Sequence, residues 1–432
     1  MATMQLISKE TIKPSCPTPP HLRCFKLSLL DQFTTAMYMP MIYFYPNKGC
    51  DSSCNIADNS RRLKNSLSET LSRYYPFAGR LTDDKASIIC NDEGVEFLKA
   101  RVKCKLTEAV KDDETETLNL LFPDGVVWNE SYNGSLVVVQ LSVFDCGGMA
   151  VSVCRTHKIT DACSMITFMT DWAAATQQSE TFPPEFIAKS ILSPTPNDPF
   201  MVPEIELGKR NCITKRFVFD GLRISDLKAM AVDSGARNPT RVEVVTALLY
   251  KCAMEASTAN LGSFRPSILI QLVNMRSRVI PPLPKNSVGN FSWYFTVSTG
   301  KQSERKLESL VGQLRSGLMK LCDKAVNNLK VNEWLVTIRE SMKEVKVLLD
   351  DLDVYRCSSH CRYPFYHVDF VWGKPILVRM ASGVVKNTFV LMDAPTGDGI
   401  EAWVTLEEQD MAIFQSDEEL LAFASLNPIV LA

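Results

Sequence analysis

Apolar positions along this chain alternate between helical spacing and strand spacing, and the switches divide it into recognisable elements. In the stretch from residue 59 to 81, "NSRRLKNSLSETLSRYYPFAGRL", Leu63, Leu67, Leu71 and Tyr75 fall on one helical face until Pro76 stops the helix. Short strand-like runs follow in "ASIICNDEGVEFLKARV", separated by the turn residues Asn91 to Gly94. The β-branched runs of "SLVVVQLSVFDCGGMAVSVCRTHKI" are joined by "DCGG" and predict an antiparallel hairpin with buried strands. His157 then stands at the exit of the second strand. Directly after it, Ala162, Met165, Ile166, Met169, Trp172 and Ala173 mark a helical face, with Asp161 where an N-cap belongs.

From Gln177 to about Asn211 the periodicity is lost and proline accumulates in "FPPEF", "SPTPNDPF" and "VPE", which predicts a linker. The second half repeats the order of the first. A strand in "KRFVFD" leads to a helix capped near Ser225, a helix in "PTRVEVVTALLYKCAMEA", and strands in "SILIQLVNMRSR" and "GNFSWYFTVS". One or two charged amphipathic helices are expected between Ser303 and Leu352. Two strand pairs broken by glycine-rich turns are expected in "YPFYHVDFVWGKPILV" and "NTFVLMDAPTGDGIEAWVTL". The expectation is an α/β fold with mixed α+β sheets in two similar lobes, residues 1–176 and 212–432, joined by the crossover 177–211.

Composition narrows the function. A chain of 432 residues with 46% hydrophobic and 22% charged residues reads as an ordinary globular protein of two domains. Its net charge of −2 offers no field for a polyanion, so nucleic acid is not an expected partner. No apolar run approaches the roughly 18 to 20 residues that cross a bilayer, and a cytosolic monomer without membrane contact is expected. The 14 cysteines are scattered through apolar runs and read as buried thiols. "CDSSC" and "CSSHC" place Cys50, Cys54, Cys357 and Cys361 in close pairs, yet neither sits in a zinc-knuckle turn, and no metal is expected.

Only four histidines exist, His21, His157, His360 and His367, and His157 is the best placed to move protons near neutral pH. There is no Gly-x-Ser-x-Gly elbow, no phosphate-cradling Gly-x-x-x-x-Gly-Lys and no Gly-x-Gly-x-x-Gly after a strand. Serine-hydrolase, phosphoryl-transfer and hydride-transfer readings therefore lose their usual support. On spacing alone, His157 remains either a general base or a structural histidine, and Asp161 is fully explained as a helix cap.

Two separated motifs carry a resemblance that decides between these. "HKITDA" resembles the His-x-x-x-Asp motif of the plant BAHD acyltransferases, and "DFVWGKP" resembles their Asp-Phe-Gly-Trp-Gly signature. "YYPFAGRL", "CNDEGVEF", "TRVEVVTALLYK", "NMRSRVIPPLP" and "GDGIEAW" follow in family order, and the likeness is strongest to the alkaloid branch. The resemblance implies two chloramphenicol-acetyltransferase-like lobes with a channel between them. It implies transfer of an acyl group, most often acetyl, from a coenzyme A thioester to a small-molecule alcohol or amine. The acyl-CoA is a co-substrate, and no cofactor stays bound. His157 is implied as general base, and Asp161 as a partner of Arg276 in "NMRSR". Asp369, Trp372 and Gly373 of the second signature are implied to support the site.

The chain departs from the family in two places. Val371 stands where glycine is usual, which costs strain if φ is positive there. His360 in "SHCR" stands where tryptophan is usual, so both residues are expected to shape the acyl or acceptor pocket. A catalytically degenerate member that binds a metabolite or a partner is the alternative these departures raise.

Overall fold

The strands Val137–Phe144 and Met149–Thr156 are buried along their whole length and form the antiparallel hairpin the pattern predicts. They lie at the centre of a mixed six-stranded sheet. Its order is Met4–Ile12, Val95–Val102, Val137–Phe144, Met149–Thr156, Tyr38–Tyr45 and Leu377–Arg379. Val95–Val102 runs parallel to Val137–Phe144, and the other neighbours are antiparallel. The computed structural model describes residues 2–47, 52–111, 115–130, 134–191, 211–327 and 352–429. The runs on either side of Asn91–Gly94 are strands but do not pair with each other: Ser87–Ile89 belongs to a small three-stranded sheet with Cys24–Lys26 and Arg80–Leu81.

Two helices pack in the core of the first lobe. In Ser52–Arg73 the apolar face of Leu63, Leu67 and Leu71 is fully buried, and Trp172 of Ala162–Thr176 donates its indole N–H to the Leu63 carbonyl at 3.2 Å. A buried indole needs such a partner, which fixes the two helices in register.

The second lobe is built on a seven-stranded mixed sheet. Its order is Ser292–Thr299, Ser267–Asn274, Asp353–Ser359, Thr388–Asp393, Ile400–Glu407, Cys212–Phe219 and Ser425–Leu426. Helices Gly221–Asp233, Arg241–Leu261 and Leu307–Asn327 supply Leu227, Leu248, Leu249 and Leu310 to its core. The first of them is capped by Asp220, not near Ser225, because the Asp220 carboxylate accepts the Arg223 N–H at 2.8 Å. Of the charged stretch after Ser303, the helix to Asn327 is present and 328–351 lies outside the described residues. Within the expected linker, Ala188–Ile191 forms a short helix and Glu185 bridges to Ser287, while 192–210 lies outside the described residues.

The segment "YPFYHVDFVWGKPILV" is not a strand pair. It makes a 3-10 turn at Phe365–His367 and one short strand, Leu377–Arg379, which pairs with Ile42–Phe44 at the edge of the first sheet. Two prolines, Pro364 and Pro375, remove ladder donors here, and the aromatic side chains find their burial in the first lobe instead. Phe370 meets Trp172 edge-on at 4.8 Å, and Trp372 meets Tyr45 at 5.9 Å. The chain thus returns from the second half to complete the first lobe. Leu29 and Leu30 pack with Val273, Met275 and Trp293 in a further cluster that joins the two lobes.

Candidate active site

A channel of about 270 Å³ runs between the lobes, with Met37, Met39, Met41, Met165 and Trp128 on one side and Leu272, Val273, Val384 and Val390 on the other. Most of the wall is apolar, and the polar groups on it include His157, Arg155, Asp161, His360, Arg356 and Tyr363. Such a largely apolar cleft with few fixed polar groups suits a hydrophobic small molecule.

His157 is held by its backbone. Its N–H donates to the Met37 carbonyl at 2.9 Å, and its carbonyl accepts from Asn290 Nδ2 at 2.9 Å. Asn290 is fixed in turn by Asp31, whose carboxylate accepts from both the backbone N–H and the side chain of Asn290, at 2.8 and 2.9 Å. The imidazole lines the channel, and its Nδ1 is buried without a hydrogen-bond partner. Burial, reinforced by the nearby Arg155 cation, pushes the His157 pKa down to about 4. The ring is therefore neutral at physiological pH and able to accept a proton.

Asp161 serves a different purpose. Its oxygens accept from Ser164 N at 2.9 Å, Phe291 N at 3.0 Å and two nitrogens of Arg276 at 2.7 and 3.1 Å. None of these bonds reaches the imidazole. Burial alone would raise its pKa, but the Arg276 charge and the donors around it hold it down to about 2. Arg276 also donates to the Ser287 and Gly289 carbonyls and to Ser164 Oγ, so the pair ties the helix after His157 to the second lobe. Gly289 is required at this crossing: its φ is +137°, and a Cβ would meet Ala188 Cβ at 2.9 Å.

The second signature lies apart. Asp369 accepts the backbone N–H of Val371 at 2.8 Å and of Gly373 at 2.9 Å, and its carbonyl accepts from Gln177. Asp369, Trp372 and Gly373 thus form a self-contained turn on the first lobe. Val371 does have a positive φ of +84°, yet its side chain is 48% exposed and does not line the channel. His360 does line it. Its Nε2 lies 3.0 Å from Ser358 Oγ, its ring stacks on Tyr363 at 6.0 Å, and burial followed by the Arg155 charge pushes its pKa down to about 4.

Four residues that matter here gave little signal in the sequence. Asn290 and Asp31 act through backbone atoms far away in the chain. Arg155 is a charge inside a fully buried strand and Arg356 one inside a partly buried strand, an anomaly that strand patterning can flag but not interpret. Of the paired cysteines, Cys357 is buried beside Thr246 at 3.5 Å, and Cys50 lies outside the described residues.

The transferase family profile matches residues 2–421. The chain belongs to the BAHD transferase family. It is 45% identical to 17,18-epoxy-17-hydroxycur-19-ene N-malonyltransferase of Strychnos nux-vomica, over 98% of this chain and 91% of that one. It is 37% identical to stemmadenine O-acetyltransferase of Catharanthus roseus, over 96% of each chain. The crystal structure of vinorine synthase superposes with a TM-score of 0.84 at 34% identity, covering 98% of this chain and 99% of that one. This BAHD protein accordingly has the two-lobed fold of vinorine synthase and is an acyltransferase. Among the described residues no helix is long and apolar enough to cross a membrane.

Proposed function

We propose that this chain transfers an acetyl group from acetyl-CoA to a hydroxyl of a plant alkaloid or related specialised metabolite, with His157 as the general base. The neutral His157 imidazole on the channel wall, positioned through its backbone and free of Asp161, carries this reading. The acceptor O–H gives its proton to the imidazole as the oxygen attacks the thioester carbonyl. The C–O bond forms, the C–S bond breaks, and the imidazolium returns the proton to the departing thiolate. No covalent acyl-enzyme is needed, and no aspartate is needed to orient the ring. An apolar wall favours a hydrophobic acceptor, and the alkaloid acyltransferases among the relatives support that class.

In this reading Asp161, Arg276, Asp369, Trp372 and Gly373 are architectural, and His360 adjusts which substrate fits. The chain acts as a cytosolic monomer without nucleic acid or membrane partners, consistent with its net charge of −2. The alternative of a non-catalytic binding protein rested on Val371 and His360. Val371 lies off the channel and His157 lines it, so the catalytic reading is preferred.

The test is His157→Ala assayed with acetyl-CoA and a panel of alkaloid and terpenoid alcohols. Loss of a general base lowers kcat on the order of a hundredfold to ten-thousandfold. Turnover within a few-fold of wild type, in a variant with an unchanged melting temperature, would reject the assignment.

A further inference from the structure

Arg155 is a buried cation. It leaves the strand Met149–Thr156 two residues before His157, is 6% exposed, and lines the channel. Its Nη1 donates to the Met39 carbonyl at 3.3 Å, while its Nε is buried without a partner. Among the described residues no carboxylate forms an ion pair with it. Asp161, the acidic residue on the channel wall, already gives its oxygens to Arg276, Ser164 and Phe291. Burial lowers the Arg155 pKa to about 10, which still leaves the guanidinium charged at neutral pH. From the second lobe, Arg356 of the strand Asp353–Ser359 lines the same channel, and it too forms no ion pair among the described residues.

An arginine is kept buried without an anion only at considerable expense, and its planar fork matches a carboxylate in particular. Transfer of an acetyl group leaves that fork unused. Arg155 is the last but one residue of the strand and His157 the first beyond it, both line the channel, and a two-residue extended spacing sets their Cα atoms about 7 Å apart. A thioester carbonyl under attack beside His157 would therefore place a carboxylate one methylene further on within reach of Arg155.

We propose that Arg155 binds a carboxylate carried next to the reacting carbonyl, with the acyl group of a malonyl-type thioester as the source that fits best. Arg356 adds positive potential to the same channel. This rests on the assignment of His157 as the base of an acyl transfer. Acetyl thioesters then occupy the donor position with the subsite empty, and the two donors compete.

The experiment compares malonyl-CoA with acetyl-CoA on wild type, Arg155→Leu and Arg155→Lys, using one alcohol that wild type accepts. The ratio of kcat/KM for malonyl over acetyl should fall at least tenfold in Arg155→Leu and recover in part in Arg155→Lys. In parallel, a carboxylated acceptor is compared with its methyl ester. Collapse of the acid-to-ester ratio alone assigns the carboxylate to the acceptor, and no change in either ratio overturns the subsite. If Arg155→Leu does not fold, wild type decides: malonate should inhibit acetyl transfer where malonamide does not, and equal effects reject the proposal. If neither thioester turns over, the acyl-transfer reading is what fails. Calorimetric affinities of both thioesters for wild type and Arg155→Lys then still report on the subsite, since tighter binding of malonyl-CoA by wild type supports it and equal affinity removes it.

Discussion

Arg276 of the second lobe closes a two-pronged ion pair onto Asp161 of the first, with both side chains 4% exposed and the shorter contact at 2.7 Å. The pair accounts for the second half of the His-x-x-x-Asp motif without giving Asp161 any part in proton transfer. It holds the N-terminus of Ala162–Thr176, and with it the turn that carries His157, against the other wall of the channel.

Removing one member of a buried pair strands the other charge, which costs about 3–5 kcal/mol. Arg276→Ala should lower unfolding free energy by that order, measured by urea denaturation. Asp161→Asn can still accept the Ser164 N–H and should lose less. The double variant should show a coupling well above 1 kcal/mol in a mutant cycle. Additive losses would mean that the two groups do not interact.

Acid should weaken the fold through two histidines. His157 and His360 are both pushed down to about 4, by burial and then by Arg155, against about 6.5 in an unfolded chain. Between those values the unfolded chain binds more protons, so stability rises with pH across that window. The contribution is complete above about pH 6.5 and is lost as pH falls toward 4. Urea titrations from pH 7 to 4.5 should show this slope, and His360→Phe should reduce it by up to one proton. The acid limb of kcat/KM should likewise lie below pH 6.5. An acid limb at or above that value would contradict a neutral, desolvated His157.

The hairpin, the helix after it and the role of Asp161 as a cap were legible because each follows from local periodicity and cap chemistry. His157 was legible as a candidate from its place at a strand exit, and as a base only through the family motif. The return of Phe365–Arg379 to the first lobe was not legible, since pairing between Leu377 and Phe44 depends on contacts that no local pattern encodes. For the same reason the brace formed by Asn290 and Asp31 was hidden. The glycine that Val371 replaces raised positive φ there as a condition and no more, and its position off the channel was not legible at all.

Val371 makes a separate stability prediction. A β-branched residue at φ +84° is strained, and its exposed side chain has little packing to lose. Val371→Gly should raise unfolding free energy by about 1 kcal/mol, with some of the gain offset by the greater freedom of glycine in the unfolded chain. Donor and acceptor kinetics should be unchanged. A large shift in KM would place this turn nearer the substrate than the channel wall indicates.

His360 tests how the channel selects substrates. It directly follows the strand Asp353–Ser359 and lines the channel with His157, with Ser358 on its Nε2, Tyr363 and Phe365 against its ring, and Nδ1 buried without a partner. A tryptophan there fills channel space and removes the unpaired nitrogen. Extra volume in a packed wall costs typically 1–3 kcal/mol, so some loss of stability is expected in His360→Trp. If the residue only shapes the pocket, kcat with the smallest donor should stay within about tenfold of wild type, well short of the loss expected for a missing general base. Preference among acyl-CoAs and acceptors should meanwhile shift toward smaller groups. A fall in kcat as deep as that of His157→Ala, with folding intact, would instead make His360 the working base.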